Sequence, residues 1–141
     1  MATECSNHFK YMLVKGDIDF DTDTVKCALM ASGFTFDKDA HATWADVSAD
    51  ELAEGNGYTS GGNTLTLSSI AEDDTNDRAE VTYNDTEWIA SGGNIGPTPG
   101  AILYDDTTAD DTVIGYIDFG GDKTAQDGQK LIIKNIRIRI T

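Results

Sequence analysis

Apolar positions along the chain fall into short runs set apart by Gly, Asn and Asp clusters. Segments rich in Val, Ile, Thr, Tyr and Phe predict strands near Thr24–Ala31, Tyr58–Thr59, Thr64–Ser69, Ala79–Tyr83, Thr86–Ala90, Ala101–Tyr104, Val113–Phe119 and Leu131–Ile140. Between them stand turn signals such as Gly55-Asn56-Gly57, Ser60-Gly61-Gly62-Asn63, Ser91-Gly92-Gly93-Asn94 and Asp127-Gly128. The last segment has the clearest period of two, with Ile136, Ile138 and Ile140 directed to a core and Asn135, Arg137 and Arg139 away from it. Lys134 falls in phase with the isoleucines, which predicts a bulge near Ile133-Lys134. Helical signals are few: Ser6 is placed to cap Asn7–Val14, and Asp39–Asp46 around Trp44 has room for a turn or two. The two prolines of Gly96-Pro97-Thr98-Pro99-Gly100 predict an excursion that interrupts strand pairing before Ala101.

The pattern predicts an all-β chain with one or two short helices, folded as an antiparallel β-sandwich of jelly-roll or immunoglobulin-like order. Its 141 residues suit one domain over 1–141, with residues 1–15 as an N-terminal arm or short helix. No apolar run approaches the ~18–20 residues that a membrane helix needs. The first eight residues lack a basic stretch followed by an apolar one, so folding in the cytoplasm is expected, with Cys5 and Cys27 reduced.

Charge changes the picture more than composition does. The net charge of −15 argues against nucleic acid as a partner, because phosphate binding needs clustered Lys and Arg. Yet all 25 acidic residues lie at or before Asp127, while Lys130, Lys134, Arg137 and Arg139 are four of the ten basic ones. The chain reads as an acidic body with a basic last strand.

Candidate chemistry is sparse. Asp17, Asp19, Asp21 and Asp23 alternate, and in an extended segment they share one face, where hard oxygens suit Ca²⁺ weakly bound. The simpler reading is a solvated turn with Ile18 and Phe20 packed inward, since Thr22 and Ala28 stand where a calcium-binding EF-hand loop needs Gly and Glu. Glu72-Asp73-Asp74 and the run from Asp105 to Asp111 read as loop tips in water. His8 and His41 belong to no Ser, Cys or zinc-ligand motif, and His41 beside Trp44 reads as a packed surface residue. Trp44, Tyr58, Tyr83, Trp88, Tyr104 and Tyr116 suggest core packing ahead of sugar stacking. The residues nominate no catalytic group and no cofactor, so a binding or building part is expected, not an enzyme.

Further features follow one another from Phe9 to the C-terminus. They are Gly16-Asp17-Ile18-Asp19-Phe20, Asp23 through Leu29, Trp44-Ala45-Asp46-Val47-Ser48, Gly57 through Gly62, Trp88 after an acidic strand, and Gly115 through Gly120. In this order the chain resembles a family of small virion structural proteins of tailed bacteriophages. The resemblance implies a β-sandwich attached to the particle after assembly in the host cytoplasm. It implies a head decoration, or cement, protein first, with a tail or fibre component, such as a glycan-binding adhesin module, as the alternative. Its partners are then the major capsid protein or other virion proteins, and a homo-oligomer such as a trimer around a capsid symmetry axis is expected. Lys130, Lys134, Arg137 and Arg139 are the residues expected to dock it.

Overall fold

The computed structural model describes residues 3–141; Met1 and Ala2, at the start of the expected N-terminal arm, lie outside them. The described residues form antiparallel sheets with two short helices, as the patterning predicts. Ten strands appear: β1 (Glu4–Cys5), β2 (Val25–Leu29), β3 (Asn63–Thr64), β4 (Leu67–Asp73), β5 (Arg78–Tyr83), β6 (Thr86–Ile89), β7 (Ile95–Asp105), β8 (Val113–Ala125), β9 (Lys130–Ile133) and β10 (Ile136–Ile140). They divide into a five-stranded sheet in the order β1-β8-β7-β2-β3, a three-stranded sheet β10-β5-β4 and a pair β6-β9. This division leaves the expected jelly-roll or immunoglobulin-like order unassigned.

Helix α1 (Asn7–Lys15) begins where Ser6 predicts it. The Ser6 hydroxyl accepts from the Phe9 N–H at 3.0 Å and donates to the Val113 carbonyl at 2.6 Å, so one buried side chain caps the helix and ties it to β8. Gly16, in the left-handed region at φ 89°, closes the other end. Phe9 and Met12 turn inward, and Tyr11 and Val14 stay in water. The second helix, α2, is only Trp44–Val47, later and shorter than the Asp39–Asp46 expected. Asp46 lies inside it and accepts the N–H and hydroxyl of Thr43, which fixes the start of the helix at Trp44.

One face of the five-stranded sheet packs through Val25, Cys27, Leu29, Leu103 and Ile117 onto Val81, Trp88, Leu131, Ile133, Ile136 and Ile138 of the two smaller sheets. The other face is covered as well. Phe34, Phe36, Trp44 and Val47 lie over Ala28, Met30, Ile102, Tyr104, Val113 and Tyr116, and Trp44 stacks on Tyr104 with ring centres 4.3 Å apart. Burial on both faces explains why Ala101–Tyr104 is a continuous apolar run with no alternation. Gly115 belongs to the same packing: a Cβ there would stand 2.2 Å from the Glu4 carbonyl, so only glycine lets β1 lie against β8.

Several boundaries depart from the sequence expectation. The segment Thr64–Ser69 splits at Leu65-Thr66, where the chain passes from the large sheet to the three-stranded one. Leu131–Ile140 likewise splits at Lys134-Asn135, with Asn135 at φ 55° and its N–H on the Asp85 carboxylate. There Lys134 leaves the core side without a simple bulge, since β9 pairs with β6 and β10 with β5 along the same two stretches of chain. Tyr58–Thr59 is no strand; Tyr58 makes only an isolated bridge to Gly55. Pro97 and Pro99 lie within β7, and the expected interruption is there: neither has a partner on β8, and the register shifts on both sides of Thr98 before regular pairing runs from Gly100.

Candidate docking surfaces

The basic strand does not present four free cations on one face. Arg137 and Arg139 point outward from β10, as the alternation predicts, and Arg139 lies directly opposite Glu80 of β5. Glu80 takes a hydrogen bond from Arg139 Nε at 2.8 Å, with Arg78 at 3.5 Å and Arg137 at 3.7 Å. The Arg139 hydrogen bond and the charges of Arg137 and Arg78 hold the Glu80 carboxyl below its ordinary range. Arg78 is shared with Asp73 of β4 at 3.0 Å, so this outer face carries three guanidinium groups against two carboxylates. Lys130 belongs to the other strand pair and faces Glu87 at 3.2 Å, while Lys134 is exposed in the β9–β10 connection. The structure brings Arg137 and Arg139 together, adds Arg78, places Lys130 in a different sheet and leaves Lys134 in the connection between the two.

Beside this patch lies a feature that sequence reading did not single out. Strand β4 is one of the two outer strands of its sheet, β10 being the other; it pairs with β5 alone, and Ser68–Glu72 is exposed throughout. Its register places Ile70 opposite Val81, on the core-facing side, yet Ile70 is 46% exposed while Val81 is 2% exposed. The sandwich therefore stops short of β4, leaving an open edge and an uncovered apolar side chain. Exposure of a β-rich run on both faces follows from tertiary cover, which local pattern does not carry.

The acidic segment forms no extended ladder of carboxylates. The N–H groups of Thr22 and Asp23 bond the Asp19 carbonyl, folding it into a turn. Asp23 accepts the Asp19 N–H, Asp19 accepts the Asp21 N–H, and Asp17 pairs with Lys15 at 2.6 Å. The carboxylates of Asp19 and Asp23 serve the segment's own backbone, and Ile18 and Phe20 are buried as the simpler reading expected. Among the described residues no group of three or more His, Cys, Asp or Glu is arranged to hold a metal ion.

The second acidic run is corrected at its first member. Asp105 is fully buried at the end of β7, not a loop tip in water, and its Oδ1 accepts the N–H of Thr107 at 2.9 Å and of Thr108 at 3.3 Å. Further along, His8 Nε2 meets Asp110 at 2.8 Å, but the hydroxyls of Thr108 and Thr112 bond Asp110 and not the imidazole. His41 stacks on Phe34 and accepts the Asp37 N–H, a packed residue near the surface. Tyr58, Tyr83, Trp88, Tyr104 and Tyr116 are buried, which leaves their faces to neighbours in the core. Both cysteines are free; burial pushes the Cys27 thiol up to about 12. Among the described residues no helix is long and apolar enough to cross a membrane. No protein-family model matches the chain, and neither a curated protein nor a solved structure does.

Proposed function

We propose that this chain is a structural part of a tailed-bacteriophage particle, a head decoration protein that docks through the β4 edge and the arginine face beside it, and that it performs no catalysis. The observation that carries this reading is the open β4 edge with Ile70 uncovered. An edge strand offers a row of main-chain donors and acceptors, and another subunit's strand or loop is the ordinary way to satisfy them. The neighbouring arginines supply local positive charge on a strongly acidic molecule, which orients an approaching acidic surface. Elsewhere the carboxylate-rich surface keeps decorated particles apart by like-charge repulsion. A stable seat needs ~1,200–2,000 Å² of buried surface, more than one edge strand supplies, so self-association around a symmetry axis goes with this reading.

Ile70→Lys tests it. Lysine on an edge strand is a standard block to strand addition, and position 70 already reaches solvent, so the fold is retained. Occupancy on particles stripped of the chain is expected to fall at least ~10-fold, about 1.4 kcal/mol of docking energy. Full occupancy by a folded Ile70→Lys variant rejects the edge as the seat. Arg137 and Arg139 are poorer targets for charge reversal than the sequence implies, because their loss also leaves Glu80 with Arg78 alone.

A further inference from the structure

Asp105 presents an anomaly that docking does not explain. Its Oδ2 is sealed from solvent and finds no hydrogen-bond donor among the described groups. Val25 stands opposite Asp105 in the β2–β7 register and the Asp106 N–H bonds the Thr24 carbonyl, which brings the carboxyl of Asp23, two residues before Val25, against that of Asp105. Two ionised carboxylates have no proton to share and repel each other; a hydrogen bond exists there only when one of them is protonated. The third polar group nearby, the Tyr83 hydroxyl of β5, is also sealed without a partner; burial first, and then both carboxylates, hinder its ionisation.

The surroundings give this pair something to hold. Asp105 Oδ1 gathers the Thr107 and Thr108 N–H groups, the Thr107 hydroxyl accepts the Thr24 N–H at 2.8 Å, and the Asp106 N–H returns to the Thr24 carbonyl at 2.8 Å. Lys26 pairs with Asp106 at 3.3 Å and His8 of α1 with Asp110 at 2.8 Å, so the titratable neighbours are Asp23, Tyr83, Lys26, Asp106, Asp110 and His8. We propose that Asp23 and Asp105 form a proton-sharing carboxyl pair that latches the β7–β8 loop, Asp106–Thr112, to the start of β2 while the proton is held and loosens it when the proton leaves.

Burial, and then the Asp23 carboxyl, push the Asp105 carboxyl up to about 7. A carboxyl raised on folding takes up a proton as the chain folds. Its contribution is full below the ordinary value of 3.8 and falls away as pH rises toward about 7. Asp37, Asp46, Asp73, Glu80 and Asp110 are shifted the other way, so their contributions are lost only in more acidic solution. Between pH ~5 and ~8 the latch therefore runs opposite to ordinary acid denaturation.

The test is amide exchange at Asp106, Thr107 and Thr108 from pH 5 to 9 in EDTA, corrected for intrinsic rates, in a His8→Gln background that removes the neighbouring imidazole. Protection in the parent is expected to drop across this range. Asp105→Asn, which keeps the Oδ1 acceptor and adds a permanent donor toward Asp23, is expected to hold its protection at least ~10-fold higher at pH 8. Parallel profiles for parent and variant overturn the proposal. Millimolar calcium restoring protection to the parent at pH 8 also overturns it, in favour of a cation site. If Asp105→Asn does not fold, Asp23→Asn and a carbon-13 titration of the Asp105 carboxyl in the parent decide instead. A carboxyl titrating below ~5 rejects the latch.

Discussion

Tyr58→Phe removes one oxygen atom and isolates how the large sheet is closed. Strand β2 is paired with β3 only at Lys26 and Cys27, so beyond that point its free edge needs other partners. The Tyr58 hydroxyl supplies one: it accepts the buried Leu29 N–H at 3.0 Å and donates to Glu51 Oε1 at 2.8 Å. Glu51 also receives the Gly61 N–H, so it keeps a donor when the hydroxyl is gone. Leu29, fully buried, has no such reserve. An orphaned buried N–H costs ~1–3 kcal/mol, and the lost bond to a carboxylate adds to it, giving about 2–3 kcal/mol. For a domain of this size that is a fall of about 6–12 °C in Tm. Urea unfolding followed by tryptophan fluorescence and calorimetry measures both quantities. Tyr104→Phe is the control: its hydroxyl donates to the Gly61 carbonyl at 2.8 Å, a half-buried group that water can reach, so the expected loss is ~1 kcal/mol or less. A Tyr58→Phe variant within ~0.5 kcal/mol of the parent refutes the reasoning, because a satisfied ladder would then not depend on that hydroxyl.

Two further substitutions probe how elements are joined. Ser6→Ala removes both the helix cap and the bond to the Val113 carbonyl, and a loss of ~1.5–3 kcal/mol is expected in urea unfolding. Gly62→Ala places a Cβ 1.9 Å from the Cys27 carbonyl at φ +76°, so β2 must shift; a loss above ~3 kcal/mol or failure to fold is expected, read from soluble yield and Tm.

Local chemistry was legible wherever one short stretch decides the outcome. The Ser6 cap needs only residues 6 to 9, and the Ile136-Arg137-Ile138-Arg139 alternation needs only one strand with one covered face. What remained hidden depends on partners distant in sequence. Prolines 97 and 99 mark the break in pairing, but not that β7 meets β8 again on its far side, at Ile95 and Ala125. A single apolar run near residue 134 gives no hint that β9 and β10 serve different sheets, because that choice belongs to β5 and β6. The aromatic cover formed by Phe34, Phe36 and Trp44 lies in a segment without strand periodicity, so the second core went unanticipated.

The candidate site follows the same division. The basic character of the last strand is plain in the sequence, but its engagement with Glu80 is visible only once Arg139 stands across from it. Asp105 looked like its acidic neighbours because groups that interact with it, Asp23 and Tyr83, are distant in sequence. Open edges are harder still, since exposure of β4 is a statement about what the rest of the chain fails to cover.

Docking of this kind is defined by where the molecule sits and which strand it uses. Cryo-electron microscopy of the intact particle, resolved well enough to trace β4, addresses both at once. The account predicts many copies on the outer head surface, with main-chain density continuing from the Ser68–Glu72 edge into a neighbouring subunit. Copies confined to the tail tip, or head-bound copies whose β4 edge faces only solvent, would contradict it.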